Sequence, residues 1–127
     1  VKVMALDFGS ARTGVAVSDP TGIVARPLGV VQRANIDEIA SLVREHEVEQ
    51  VVVGHPLTLR GERGEQARAT ERFAKALREA LDVPVVLFDE RFTTDLAEQS
   101  PSSTPEDARA AAHLLSSYLE WSAASRL

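Results

Sequence analysis

Three stretches of the sequence place a carboxylate where it could share work with another. Asp7 closes the apolar run Val3 to Leu6, Asp89 and Glu90 close a second run, Val85 to Phe88, and Asp107 falls in the first turn of an amphipathic stretch reaching Trp121. A carboxylate at the end of a buried run must be hydrogen-bonded, paired or metal-bound, because desolvating it alone is costly. If the three converge, oxygen ligands with neither Cys nor a His pair suit Mg²⁺ or Mn²⁺. Two such ions ~4 Å apart are a recurrent device for in-line attack on a phosphodiester. Plainer explanations exist for each residue. Asp7 could cap its own turn through the amides of Phe8 or Gly9, Glu90 could pair with Arg91, and an acid such as Asp107 is favoured at any helix N-terminus. The residues alone leave both explanations open.

The elements that must position these acids follow from hydrophobic periodicity. Val3–Leu6 and Val15–Val17, joined through the turn formers Gly9, Ser10 and Gly14, read as an antiparallel hairpin. Ile23 to Val31, interrupted by Arg26-Pro27 and Gly29, reads as a weaker third strand at an edge, where Pro is tolerated. Asn35 with Glu38 three residues on opens a helix whose apolar stripe is Ile36, Ile39, Ala40 and Val43. Gln50–Gly54 is a buried strand. A charged loop, His55 to Gly64, leads to a second helix with Phe73, Ala74, Leu77 and Leu81 on one face and a solvated Glu71/Lys75 pair on the other. Pro84–Phe88 is a further strand, and a short helix is expected after Thr93-Thr94-Asp95. Residues 99–104 form a loop, and Thr104 caps a last helix with Pro105 in its first turn.

Strands separated by helices imply parallel pairing with right-handed crossovers. The expected architecture is therefore α/β, a mixed five-stranded sheet with an antiparallel hairpin followed by parallel strands. Ligands in such sheets gather beyond the carboxyl ends of the parallel strands. Asp7 and Glu90 are expected on neighbouring parallel strands there. Asp107 shares a helix face with Ala111, Leu114 and Tyr118, so it joins them if that helix begins at the same rim.

Size and composition fit one soluble domain over 1–127. No apolar run approaches the ~20 residues of a membrane span, and no signal sequence is expected from the opening residues. Cysteine is absent, so disulfides and thiolate metal sites are excluded and the cytoplasm is the expected compartment. The net charge of −5 argues against broad, non-specific nucleic-acid binding. Nearly all the cations are Arg, however, the better residue for bidentate phosphate contacts.

Four blocks in order carry a resemblance: Ala5-Leu6-Asp7-Phe8-Gly9 with Arg12 to Pro20; Val52-Val53-Gly54-His55-Pro56-Leu57; Asp89-Glu90-Arg91-Phe92-Thr93-Thr94; and Asp107 to Ala111 leading to Tyr118-Leu119. Together they resemble the YqgF/RuvX family, relatives of the RuvC Holliday-junction resolvase within the ribonuclease H-like superfamily. The resemblance implies a ribonuclease H-like fold with helices on both faces of the sheet. It implies that Asp7, Glu90 and Asp107 are the catalytic, metal-binding carboxylates for Mg²⁺ or Mn²⁺. It suggests that Arg91, Thr93 and Thr94 support the site or touch phosphate. The implied activity is a metal-dependent endonuclease acting on structured RNA, in 5′-end maturation of pre-16S ribosomal RNA, or on four-way DNA. A non-catalytic nucleic-acid or ribosome-assembly module is the alternative. Actin-like ATPases share the opening motif but need a second domain.

The chain departs from the family pattern at His55, where an aliphatic residue is usual, and at Thr58 and Ser116. The segment between Thr94 and Asp107 is short and lacks the usual run of Lys and Arg. Arg12, Arg60, Arg63 and Arg68 are the cations that could grip nucleic acid instead, in a monomer or a homodimer.

Overall fold

The computed structural model describes residues 1–92 and 106–125. Five strands form one sheet: β1 (Val3–Asp7), β2 (Arg12–Ser18), β3 (Ala25–Gln32), β4 (Gln50–His55) and β5 (Val85–Asp89). Their order is β3-β2-β1-β4-β5, with β1, β2 and β3 antiparallel and β1, β4 and β5 parallel. Three α-helices complete the described elements: α1 (Ile36–Glu45), α2 (Glu65–Ala80) and α3 (Glu106–Ser125). The anticipated helix after Thr94, the loop at 99–104 and the Thr104-Pro105 cap lie outside the described residues.

Alternation along the strands divides the core in two. Met4, Leu6, Val15, Val17, Val51 and Val53 face α1 and α2, where Ile39, Val43, Phe73 and Leu77 cover them. Val3, Ala5, Ala16, Val52 and Phe88 face α3, against Ala111, Leu114, Leu115 and Tyr118. Each fully buried Val or Leu in these layers contributes about 1.5–3 kcal/mol of transfer free energy. Helix α1 starts as its sequence dictates: the Asn35 side chain accepts a hydrogen bond from the Glu38 amide at 3.1 Å. Strand β3 takes the edge, and its pairing slips between Val15 and Ala16, so that Pro27 stands opposite Ala16.

Two expectations change. Gly14 is no turn residue; it lies inside β2, paired with Asp7. Strands β1 and β5 are also not neighbours, since β4 runs between them.

The bare backbone at Gly14 sets how closely α3 docks. A Cβ there would overlap the backbone carbonyl of Asp107. Beside it, the cross-strand pair Ala5–Ala16 lies fully buried, with Ala108 and Ala111 of α3 also fully buried on that side. Small residues on both surfaces let the helix start sit almost on the hairpin. Gly14→Ala must push α3 away and should cost at least ~2 kcal/mol, read by urea denaturation. Gly29→Ala is the matched comparison: a Cβ there meets nothing within 4 Å. It should be neutral, or stabilising by at most ~1 kcal/mol through the unfolded chain. Equal costs at the two glycines would contradict this packing.

Candidate active site

Asp7, the last residue of β1, points to the α3 face, in alternation with Val3 and Ala5. Among the described residues its carboxylate accepts no hydrogen bond from the amides of Phe8 or Gly9, so the turn-capping explanation does not hold. Asp107, in the first turn of α3, comes to the same rim because α3 begins over Gly14, the cross-strand partner of Asp7. Glu90 opens a short 3-10 turn, Glu90–Phe92, directly after β5.

Gly54 supplies the room that strand order would otherwise deny. Glu90 and Asp7 are separated by the end of β4, and the residue on the α3 face there is Gly54, in alternation with Val52. A Cβ on Gly54 would overlap Oε1 of Glu90 and lie 3.1 Å from a methyl of Leu114. The Glu90 side chain therefore lies across the end of β4 in space that only a glycine leaves. Nothing in sequence reasoning assigned Gly54 this role. The signal was present, a glycine closing an otherwise β-branched buried strand with no turn to require it.

Electrostatics register the convergence. Burial, and then repulsion from Asp107, push the Asp7 carboxyl above its ordinary value. Burial, repulsion from Asp7 and repulsion from Asp89 push Glu90 up to about 7. Among the described residues no three acidic or histidine side chains stand close enough, as placed, to enclose an ion. One oxygen of Asp107 is occupied instead by Arg12, whose Nε lies 3.1 Å from Oδ2. The donors nonetheless fit a hard divalent ion: three carboxylates facing one rim, two of them with raised proton affinity, and a cradle that a Cβ at Gly54 would fill.

The other cations divide. Arg63 forms a two-pronged pair with Glu71 of α2, with Nε 2.8 Å from Oε2. His55 Nε2 lies 2.7 Å from the same oxygen. The hydrogen bond from Arg63, followed by that from His55, holds Glu71 down to about 2. Glu71 is thus the anchor of the loop rather than half of a solvated pair with Lys75, a role sequence reasoning missed. Arg91 clasps Asp89, with Nε 2.9 Å from Oδ2, and reaches the Leu59 carbonyl at 3.5 Å. Asp89 and His55 alternate onto the α1/α2 face, away from Asp7 and Glu90. Arg91 and Arg63 therefore brace the 56–64 loop, while Arg60 extends from it. Thr93 and Thr94 lie outside the described residues.

The raised Glu90 carboxyl has a signed consequence. Between the ordinary value of 4.5 and about 7 the folded chain holds a proton that the unfolded chain releases. Stability is therefore greater below that window and falls as pH rises through it. Glu90→Gln removes this slope. In chelator, the variant should gain on the wild type by about 1–2 kcal/mol from pH 4.5 to 7.5, with solvent at the rim screening part of the full effect. Urea denaturation across pH checks it, and parallel curves would contradict it.

The sequence pattern of the RuvX family, described as a Holliday junction resolvase, matches residues 1–121. A relative from Sulfurihydrogenibium sp. (strain YO3AOP1), named "Putative pre-16S rRNA nuclease", is 37% identical over 130 residues, covering 94% of this chain and 90% of that protein. A relative of the same name from Chloroflexus aggregans is 44% identical over 132 residues, covering 93% and 92%. Among solved structures, T. thermophilus RuvC in complex with Holliday junction substrate superposes with a TM-score of 0.70 at 17% identity, over 98% of this chain and 96% of that one. The Fowlpox virus resolvase bound to Holliday junction DNA gives 0.58 at 12% identity, over 95% and 98%. These two likenesses establish the ribonuclease H-like fold, and the match over nearly the whole sequence establishes the lineage: the chain belongs to the RuvX family.

Proposed function

We propose that this chain is a divalent-metal-dependent endonuclease that hydrolyses phosphodiesters of structured nucleic acid, with the precursor of 16S ribosomal RNA as its substrate and the cytoplasm as its compartment. The reading is supported by two approaches to the same rim, that of Asp107 to Asp7 over Gly14 and that of Glu90 across Gly54 toward Asp7. Folding holds two of these carboxyls above their ordinary proton affinity, a state a stability-driven site would avoid. The names of the relatives supply the substrate.

In this reading Asp7, Glu90 and Asp107 hold Mg²⁺ or Mn²⁺. The ion would supply Lewis-acid activation of the attacking water and stabilise charge on the departing 3′ oxygen. The protein's part is positioning. Gly14 brings Asp107 to Asp7, and Gly54 lets Glu90 lie across the rim toward them. Above pH 7 Glu90 is ionised and ready to serve as a ligand. Arg60 is left to contact phosphate, because Arg63 and Arg91 are committed to holding its loop.

The experiment is cleavage of labelled pre-16S RNA, single-stranded RNA and four-way DNA junction side by side, with Mg²⁺ or Mn²⁺. Pre-16S RNA should be cut. Asp7→Asn and Asp107→Asn should each lower the rate at least ~100-fold. Asp37→Asn is the control, since Asp37 is the second residue of α1 as Asp107 is of α3, and feels the same kind of helix dipole. It should cost at most ~1 kcal/mol of stability and no activity. Cleavage of the junction alone would make this a resolvase, and loss of activity in all three variants or in none would sink the carboxylate site.

A further inference from the structure

We infer that Arg12 is a built-in counter-cation of the carboxylate rim, pairing with Asp107 until a divalent ion binds and then turning to substrate phosphate. The inference rests on the carboxylate-site reading above and assigns Arg12 a role within it.

Arg12 is the first residue of β2 and alternates onto the same face as Gly14. Gly14 stands opposite Asp7 and beneath the backbone of Asp107. Asp107 thus comes close enough to Asp7 to repel its carboxylate, and it pairs with the Arg12 guanidinium. The Arg12–Asp107 pair, 3.1 Å from Nε to Oδ2, is half open to solvent, with side-chain exposures of 60% and 37%. Among the described residues neither Asp7 nor Glu90 has a cationic partner. One guanidinium thus faces a group of acids that folding has drawn together.

A single positive charge there lowers the repulsion within the metal-free protein. It also stands within a few ångströms of where a divalent ion would be held by the same carboxylate, and like charges at that range repel. Binding of the ion therefore weakens the Arg12 pair. The freed guanidinium sits at the rim, exposed, with a fork geometry suited to phosphate oxygens. Arg63 and Arg91 lack this freedom, since each already has a two-pronged carboxylate partner on the other face.

Calorimetry with Mn²⁺ alone tests the first half, comparing wild type, Arg12→Gln, Arg12→Lys and Asp107→Asn. Arg12→Gln should bind Mn²⁺ about threefold to thirtyfold more tightly than wild type. Arg12→Lys, which keeps the charge, should stay close to wild type, and Asp107→Asn should bind much more weakly. Unchanged or weaker Mn²⁺ binding in Arg12→Gln, or equal tightening in Arg12→Lys, overturns the inference while leaving the carboxylate site intact. Unchanged binding in Asp107→Asn instead overturns the site itself. The second half is read from binding of a labelled four-way DNA junction against salt. With Ca²⁺ present, Arg12→Gln should lower the slope of log K against log salt by roughly 0.7–0.9, the loss of one phosphate contact. In chelator it should not. An equal loss of slope in chelator would show that Arg12 faces phosphate regardless of the ion, and would overturn the exchange.

Discussion

Packing in this protein must hold like charges close together at a half-buried rim. Asp7, Glu90 and Asp107 arrive from a strand, a turn and a helix that are distant in the chain, and nothing in their mutual electrostatics favours the meeting. The meeting is enforced sterically, by two positions without side chains. Gly14 lets the start of α3 settle on the hairpin, and Gly54 leaves the end of β4 open beneath Glu90. The apolar layer behind them, Ala5, Ala16, Val52, Ala111 and Leu114, fixes α3 so that these approaches are kept. Packing of ordinary hydrophobic residues thus overcomes the repulsion, and burial first, with repulsion second, raises the proton affinity of Asp7 and Glu90.

Much of this was legible in the residues. Period-two and period-3.6 patterns placed the hairpin, the two later strands and the three described helices, because each element buries one face and the pattern records it. Asn35 announced the start of α1 through its side-chain oxygen. Asp7 and Glu90 stood where a buried run meets an acid, and Asp107 stood in the first turn of a helix. What could not be read was lateral order. Periodicity says that β1 and β5 are buried and parallel, but not that β4 lies between them, and so it could not reveal what Gly54 is for. Gly14 misled for a related reason, since a glycine after a strand suggests a turn whereas here it answers a helix some ninety residues further on. Glu71 was hidden in the same way: its partners Arg63 and His55 come from the loop before the helix, not from the next helical turn.

The distribution of arginines resolves how an acidic chain can serve a polyanionic substrate. The α1/α2 side of the rim is internally neutralised, with Glu71 and Asp89 matched by Arg63 and Arg91. These pairs use their charge to hold the 56–64 loop in place. On the α3 side, among the described residues, Asp7 and Glu90 have no cationic partner and Asp107 is paired with Arg12. A divalent ion would complete that balance, and the face left toward nucleic acid would then present Arg12 and Arg60. His55 belongs to the bracing side and does not face the carboxylates.

The central claim is that the three carboxylates form one ion-holding site. Its most direct test is the anomalous scattering of crystals of this protein soaked in Mn²⁺ without nucleic acid. The expected result is a peak bounded by the side chains of Asp7, Glu90 and Asp107, with Arg12 turned away from Asp107. A peak confined to the His55–Glu71 side of the sheet, or none at a concentration that saturates calorimetric binding, would contradict it.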